Sequence, residues 1–272
     1  MPRGGSVAIA TAALLVLQLA AANAAVKERD VSIETRSAGT LAGKLYSPEE
    51  RGTRPGVLIL HTAAGLRKAD HIHARNLAEA GFAALIVSYP IGWAASTNLG
   101  LAEAVDWLRT QPESRDMPVG IVGFSLGASK ALLAAALRPK DVKAVVSYYG
   151  TYDVEISKFS EVARQVRAKS GSTTPSPVEV AGAIGGAVLL LQGGDDDETP
   201  ADQTARMKTA LDKGGKTYEL KIYPGAVHMF EREPQFHPPG FRTSFGTVTG
   251  YDPVAAKDSW QKTVDWLNKH LR

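Results

Sequence analysis

Short apolar runs recur along this chain at 56–60, 82–87, 119–122, 142–149 and 187–192, separated by stretches with helical spacing. A run that is apolar on nearly every residue suits a strand covered on both faces, as in a parallel sheet between helix layers. Parallel neighbours need crossovers, and intervening helical patterns of about 10–15 residues supply them. Ahead of these runs, 31–35 alternates polar and apolar residues, Ser37 to Thr40 reads as a turn, and 41–46 follows, so an antiparallel hairpin opens the domain. With a last strand at 217–223, the expectation is an α/β fold with a mostly parallel eight-stranded sheet and helices on both faces. In such sheets, ligands bind at the carboxyl ends of the strands.

The crossovers are predicted as helices over 72–80, stopped by Gly81, and over 99–110, capped by Asn98. Others follow at 130–138, 199–213 and 255–271. Residues 151–183 are less regular. A polar helix over 156–169 leads into a Ser, Thr and Pro-rich loop, and we read this excursion as a possible lid.

Residues 1–24 stand apart. Arg3 precedes an apolar stretch over 7–22, and Ala22-Asn23-Ala24 offers a small-x-small cleavage site. The stretch is broken by Gln18 and is short for a span of about 20 residues, so a cleaved signal peptide is preferred to a membrane anchor. The chain is then exported, to the periplasm or beyond, with residues 25–272 as one domain. The sequence contains no cysteine, so the fold owes nothing to disulfides. Lys and Arg total 31 against 28 Asp and Glu. This near balance, without a basic run, excludes a nucleic-acid footprint.

The run at 119–122 leads into Gly123-Phe124-Ser125-Leu126-Gly127 and then a strong helix former. Strand, Gly-x-Ser-x-Gly turn and helix together form the layout of a nucleophile elbow, with the serine hydroxyl at a sharp corner above the sheet. A serine needs a base, and the base needs a group that fixes its tautomer. His228 lies on a Pro-Gly turn just past the last strand. Asp195, Asp196, Asp197 and Glu198 lie between a strand and a helix, where some must be caps and where such a cluster could instead hold a cation. Asp196 is preferred as the acid, ahead of Asp195 and Asp197. Backbone amides of Leu126 and of Ala63, in the loop after 56–60, are candidates for an oxyanion hole. His61 is read as a loop-shaping residue, His71 and His73 as too few for zinc, and His237 and His270 as structural or surface groups.

These residues resemble the dienelactone hydrolase family of the α/β-hydrolase superfamily, over essentially all of 25–272. The resemblance is carried by Leu60-His61, the segment 77–85, the segment 122–127, Ser147 to Gly150, Gly193 to Pro200, Tyr223 to Phe230, and the terminal 255–267. In that family the acid stands four residues before the loop proline, which selects Asp196. Ser125 takes the place of the family's founding cysteine, and Thr62 that of the glutamate after the strand-three histidine. Of two arginines that hold the substrate carboxylate, one is replaced in Tyr89-Pro90-Ile91-Gly92 and the other is matched by Arg232. The resemblance implies a serine hydrolase of small-molecule carboxylic esters or lactones that needs no metal or organic cofactor. Alternatives are an anionic-lactone hydrolase using Arg232, a non-catalytic binding protein on the same fold, and acyl transfer to an acceptor other than water.

Overall fold

A computed structural model describes residues 25–272 except 159, 171–173, 237, 239 and 244–245, so the expected leader and His237 lie outside the described residues. The strands are β1 (Val26–Thr35), β2 (Gly39–Pro48), β3 (Gly56–Leu60), β4 (Ala83–Val87), β5 (Val119–Phe124), β6 (Val142–Tyr148), β7 (Ala187–Gly193) and β8 (Tyr218–Tyr223). They form one sheet in the order β1-β2-β4-β3-β5-β6-β7-β8. The β1–β2 hairpin is antiparallel and β2 joins β4 antiparallel, while pairs from β4 through β8 are parallel. This is the mixed sheet that the hydrophobic pattern predicts.

Strands β3, β4 and β5 are buried at every residue, and the pleat divides their side chains between two cores. One core takes Leu58, Leu60, Leu85 and Ile121 together with Leu101 and Leu108 of α2 (Ala95–Thr110), after α1 (Lys68–Glu79). Leu132 of α3 (Leu126–Leu137) joins it. The other core takes Val57, Ile59, Ile86 and Val122 with Leu77 of α1. Beyond α4 (Ser160–Ser170), α5 (Pro177–Val180) and α6 (Ala201–Lys213) comes α7 (Pro253–Leu271), which adds Trp266, Leu267 and Leu271 to that second core. Full burial of each such side chain stabilises the fold by about 1.5–3 kcal/mol, an upper figure because unfolded chains are partly compact. Asp252 accepts hydrogen bonds from the N–H groups of Val254 and Ala255, and Pro253 fills the first helical turn, so α7 starts where its local sequence dictates.

Several helix starts differ from the sequence expectation, and for three segments a side-chain hydrogen bond explains the difference. Helix α1 begins at Lys68 because Asp70 Oδ2 accepts the Arg67 N–H at 2.7 Å. Helix α6 begins two residues after Thr199, because Thr199 donates to Asp196 instead. Asn98, expected as a cap, lies inside α2 and is buried, with Oδ1 accepting from Lys130 Nζ at 3.1 Å. A buried ammonium must find an acceptor, and that demand outranks local capping preference.

Lys130 is fully buried on α3, and burial lowers its pKa from 10.5 to about 7. Between these values the unfolded chain binds the proton and the folded chain does not, so stability rises with pH over that window, by about 5 kcal/mol at most. Lys130→Met removes this dependence but orphans Asn98 Oδ1, at a cost of about 1–3 kcal/mol. The variant is therefore expected to be about 2 kcal/mol more stable than wild type at pH 6 and less stable at pH 10.5. Urea denaturation across that range reads the crossing; parallel curves would show that Lys130 keeps its ordinary pKa in the folded chain.

Candidate active site

The strand order puts a switch point between β3 and β5, whose chains leave toward opposite edges of the sheet. The loop after β3 and the turn after β5 flank the crevice that this creates. Ser125 occupies that turn with φ 54° and ψ −115°, a conformation that L residues avoid at a cost of order 1–3 kcal/mol. The surroundings hold it there. Its N–H donates to Tyr148 O at 3.0 Å, and its carbonyl accepts from Ala128 N–H at 3.0 Å. A Cβ on Gly123 would lie 2.2 Å from Gly127 O, and one on Gly127 would lie 2.2 Å from Leu60 O. Only glycine at both positions lets β5, α3 and the end of β3 approach this closely.

His228 and Asp196 reach the same point from the ends of β8 and β7. His228 Nε2 lies 3.1 Å from Ser125 Oγ, and its Nδ1 lies 2.8 Å from Asp196 Oδ2. A carboxylate can only accept, so Nδ1–H donates to Asp196 and Nε2 is left to accept the Ser125 proton. Asp196 is anchored on every side: Oδ1 accepts the N–H groups of Glu198 at 2.9 Å and Thr199 at 3.0 Å, and Oδ2 also accepts the Thr199 hydroxyl at 2.9 Å. Burial would raise its pKa, but the charge and hydrogen bond of His228 and the Thr199 donors outweigh burial and hold it below the ordinary carboxylate value. For His228 burial disfavours the charged form, yet the charge and hydrogen bond of Asp196, followed by Glu198 and Glu231, lift the imidazole above its ordinary range. The Tyr149 ring packs edge-on against the imidazole at 4.6 Å, and the His228 carbonyl accepts Gly250 N–H at 3.2 Å. Asp195 and Asp197, weighed as alternatives, are exposed, and Asp197 faces Lys158 at 3.8 Å.

The two backbone amides proposed for an oxyanion hole come from adjoining segments. Leu126 opens α3, where its N–H has no intrahelical acceptor. Ala63 packs against the Leu126 cluster with Trp93 and Val154, and it lines the cleft beside Ser125. His61 shapes this loop, with Nδ1 2.7 Å from Thr62 O and its ring stacked on Tyr89 at 3.9 Å. The Tyr89 hydroxyl donates to His61 O at 2.6 Å.

The cleft over Ser125 has a volume of about 510 Å³. Its lining comes from the loop after β3, from Ser125, Glu198 and His228, and from residues between Met229 and Thr243. Residues 151–183, the excursion read as a possible lid, supply none of that lining among the described residues; the covering segment is the one after His228. Arg232 touches the cleft but is 3% exposed, with Nη2 donating to Asp70 Oδ1 at 2.9 Å and Nε to Glu231 Oε1 at 3.3 Å. Glu231 is held further by the Tyr149 hydroxyl at 2.5 Å. Arg67 and Lys68, exposed at the cleft, escape the sequence reading, since nothing in their local pattern marks them, while Glu198, read there only as one of a cluster of caps or cation ligands, lines the cleft. His71 bonds Tyr46, His73 stacks between Phe124 and Trp260, and His270 packs on Trp266. Among the described residues no three His, Cys, Asp or Glu side chains converge as metal ligands.

The profile of the dienelactone hydrolase family matches residues 93–271. A protein of Methylorubrum extorquens named as a carboxymethylenebutenolidase is 27% identical over 253 residues, covering 85% of this chain and 78% of the relative. A Bradyrhizobium protein named as a 2-oxo-3-(5-oxofuran-2-ylidene)propanoate lactonase is 25% identical over 260 residues, covering 89% and 94%. In fold, a Klebsiella pneumoniae crystal structure described as a dienelactone hydrolase superposes with a TM-score of 0.73 at 22% identity, over 90% of this chain and 100% of that one. With its eight-stranded mixed sheet and its match over most of the domain, this chain belongs to the dienelactone hydrolase family, whose members are hydrolases of esters and lactones.

Proposed function

We propose that the protein hydrolyses carboxylic esters or lactones through an acyl-enzyme on Ser125. Ser125 Oγ attacks the carbonyl while His228 Nε2 takes its proton, and Asp196 holds the resulting imidazolium. The amides of Ala63 and Leu126 bind the oxyanion, and loss of one such donor costs roughly 3–4 kcal/mol of barrier. The imidazolium then gives its proton to the leaving oxygen. Water enters and attacks the acyl carbonyl as it gives a proton to Nε2, and His228 returns that proton to Ser125 Oγ as the acyl–oxygen bond breaks and the acid leaves. The observation that carries this reading is the unbroken chain from Ser125 Oγ through His228 to Asp196, at 3.1 and 2.8 Å, on a serine with φ 54°. The lactonase name of the Bradyrhizobium relative lends weight to lactones among the substrates. The basic and apolar opening of 1–24 supports action outside the cytoplasm, which N-terminal sequencing of the protein from cell fractions would test.

The test pairs a label with a screen. A fluorophosphonate probe is expected to add once, on the peptide containing Ser125, and labelled protein is expected to lose turnover of neutral esters, lactones and anionic lactones together. Folded protein that takes no label and turns over none of these substrates would instead be a binding protein on a hydrolase fold.

A further inference from the structure

The mechanism uses Asp196 and leaves a second carboxylate in the same turn without a role. Glu198 donates its backbone N–H to Asp196 Oδ1, yet its side chain reaches the opposite side of the imidazole. Oε1 lies 3.7 Å from His228 Nε2, the nitrogen that faces Ser125, whereas Asp196 meets Nδ1. Oε2 accepts the Thr243 hydroxyl at 2.7 Å, which fixes the carboxylate in place. Glu198 is 6% exposed and lines the cleft with Ser125 and His228. One oxygen is thus anchored and the other stands beside the reacting nitrogen.

That position has a consequence for the substrate. A leaving oxygen must come within about 2.6–3.2 Å of Nε2 to receive its proton. With Oε1 only 3.7 Å from the same nitrogen, the first carbons of the leaving alcohol pass beside this carboxylate. An ionised carboxylate accepts hydrogen bonds and donates none. A hydroxyl or a cation on those carbons meets a partner, while a carboxylate there meets a like charge on a side chain that is itself buried. The cations of the cleft do not cancel this effect. Arg232 is paired with Asp70 and Glu231, and Arg67 and Lys68 are exposed to solvent, where screening weakens them.

We propose that Glu198 is a specificity-determining residue that reads the leaving alcohol, favouring esters whose alcohol carries a hydroxyl or a cationic nitrogen one or two carbons from the ester oxygen and disfavouring a carboxylate there. The proposal rests on the serine-hydrolase reading. Its test holds the acyl group constant in propyl acetate, 2-hydroxyethyl acetate, acetylcholine and acetoxyacetate, and compares kcat/KM for wild type, Glu198→Gln and Glu198→Asp. The ratio of acetylcholine to acetoxyacetate is expected to fall by about tenfold or more in Glu198→Gln, the size of a close charge pair. Propyl acetate should change much less, and Glu198→Asp, which keeps the charge, should keep the wild-type order. An unchanged ratio, or an equal loss on all four esters, overturns the proposal. Turnover that survives Ser125→Ala would sink the serine reading itself, so the two failures are distinguishable.

Discussion

Exchange of Ser125 for alanine is expected to lower kcat on every ester or lactone the protein turns over by about 10⁶-fold, and exchange of Asp196 for asparagine by about 10⁴-fold. The first follows from removing the proposed nucleophile while the proposed oxyanion amides remain. The second has a specific geometric cause. Asp196 Oδ1 accepts two backbone N–H groups, from Glu198 and Thr199. An asparagine in this place must turn its carbonyl toward those two donors, which leaves its NH₂ facing His228 Nδ1. Nδ1 must then accept, the proton moves to Nε2, and Nε2 can no longer take the proton of Ser125. Both variants keep every packing contact, so their urea midpoints should stay close to wild type. Measured kcat, normalised to fluorophosphonate-reactive sites where a serine remains, gives the answer. A loss below about 100-fold in Asp196→Asn would mean that another group orients the imidazole.

Much of this site is legible in the sequence because its parts sit on strongly patterned elements. The apolar runs at β3, β5 and β7 and the Pro-Gly turn after β8 announce strand ends, and a parallel sheet brings strand ends to one edge. Ser125, Asp196 and His228 meet there because topology leaves them little choice. Side-chain partnerships between distant segments have no such local signal. Lys130 gives no sign in its helical surroundings that it is buried against Asn98, 32 residues away. The four carboxylates of residues 195–198 are chemically alike in sequence, and only the fold separates them. Asp196 turns inward to His228, Asp195 and Asp197 face solvent, and Glu198 folds back across the cleft. The segment after His228, poor in helix and strand pattern, covers the cleft through contacts that periodicity cannot encode.

Arg232 is where the two levels of reading diverge most, and it carries the second large effect. The resemblance to dienelactone hydrolases assigns its guanidinium to a substrate carboxylate, with selective loss of anionic substrates on substitution. In the fold that guanidinium is buried between Asp70 and Glu231, at 2.9 and 3.3 Å. Asp70 is fully buried on α1 and Glu231 nearly so, with the Tyr149 hydroxyl as a further donor. Arg232→Met is expected to leave both carboxylates without their cation and to lower stability by about 3–5 kcal/mol, the cost of stranding a buried charge. Because Asp70 also receives the Arg67 N–H at the start of α1, and Glu231 lies three residues from His228, the loss should reach the cleft as reduced kcat on neutral and anionic esters alike. Urea denaturation at pH 7 measures the first effect and parallel kinetics the second. Combining Arg232→Met with Asp70→Asn and Glu231→Gln removes the stranded charges and should recover most of the stability, since a buried ion group replaced as a whole is often close to neutral. A single variant that stays within about 1 kcal/mol of wild type while losing turnover of anionic lactones alone would return the guanidinium to the substrate.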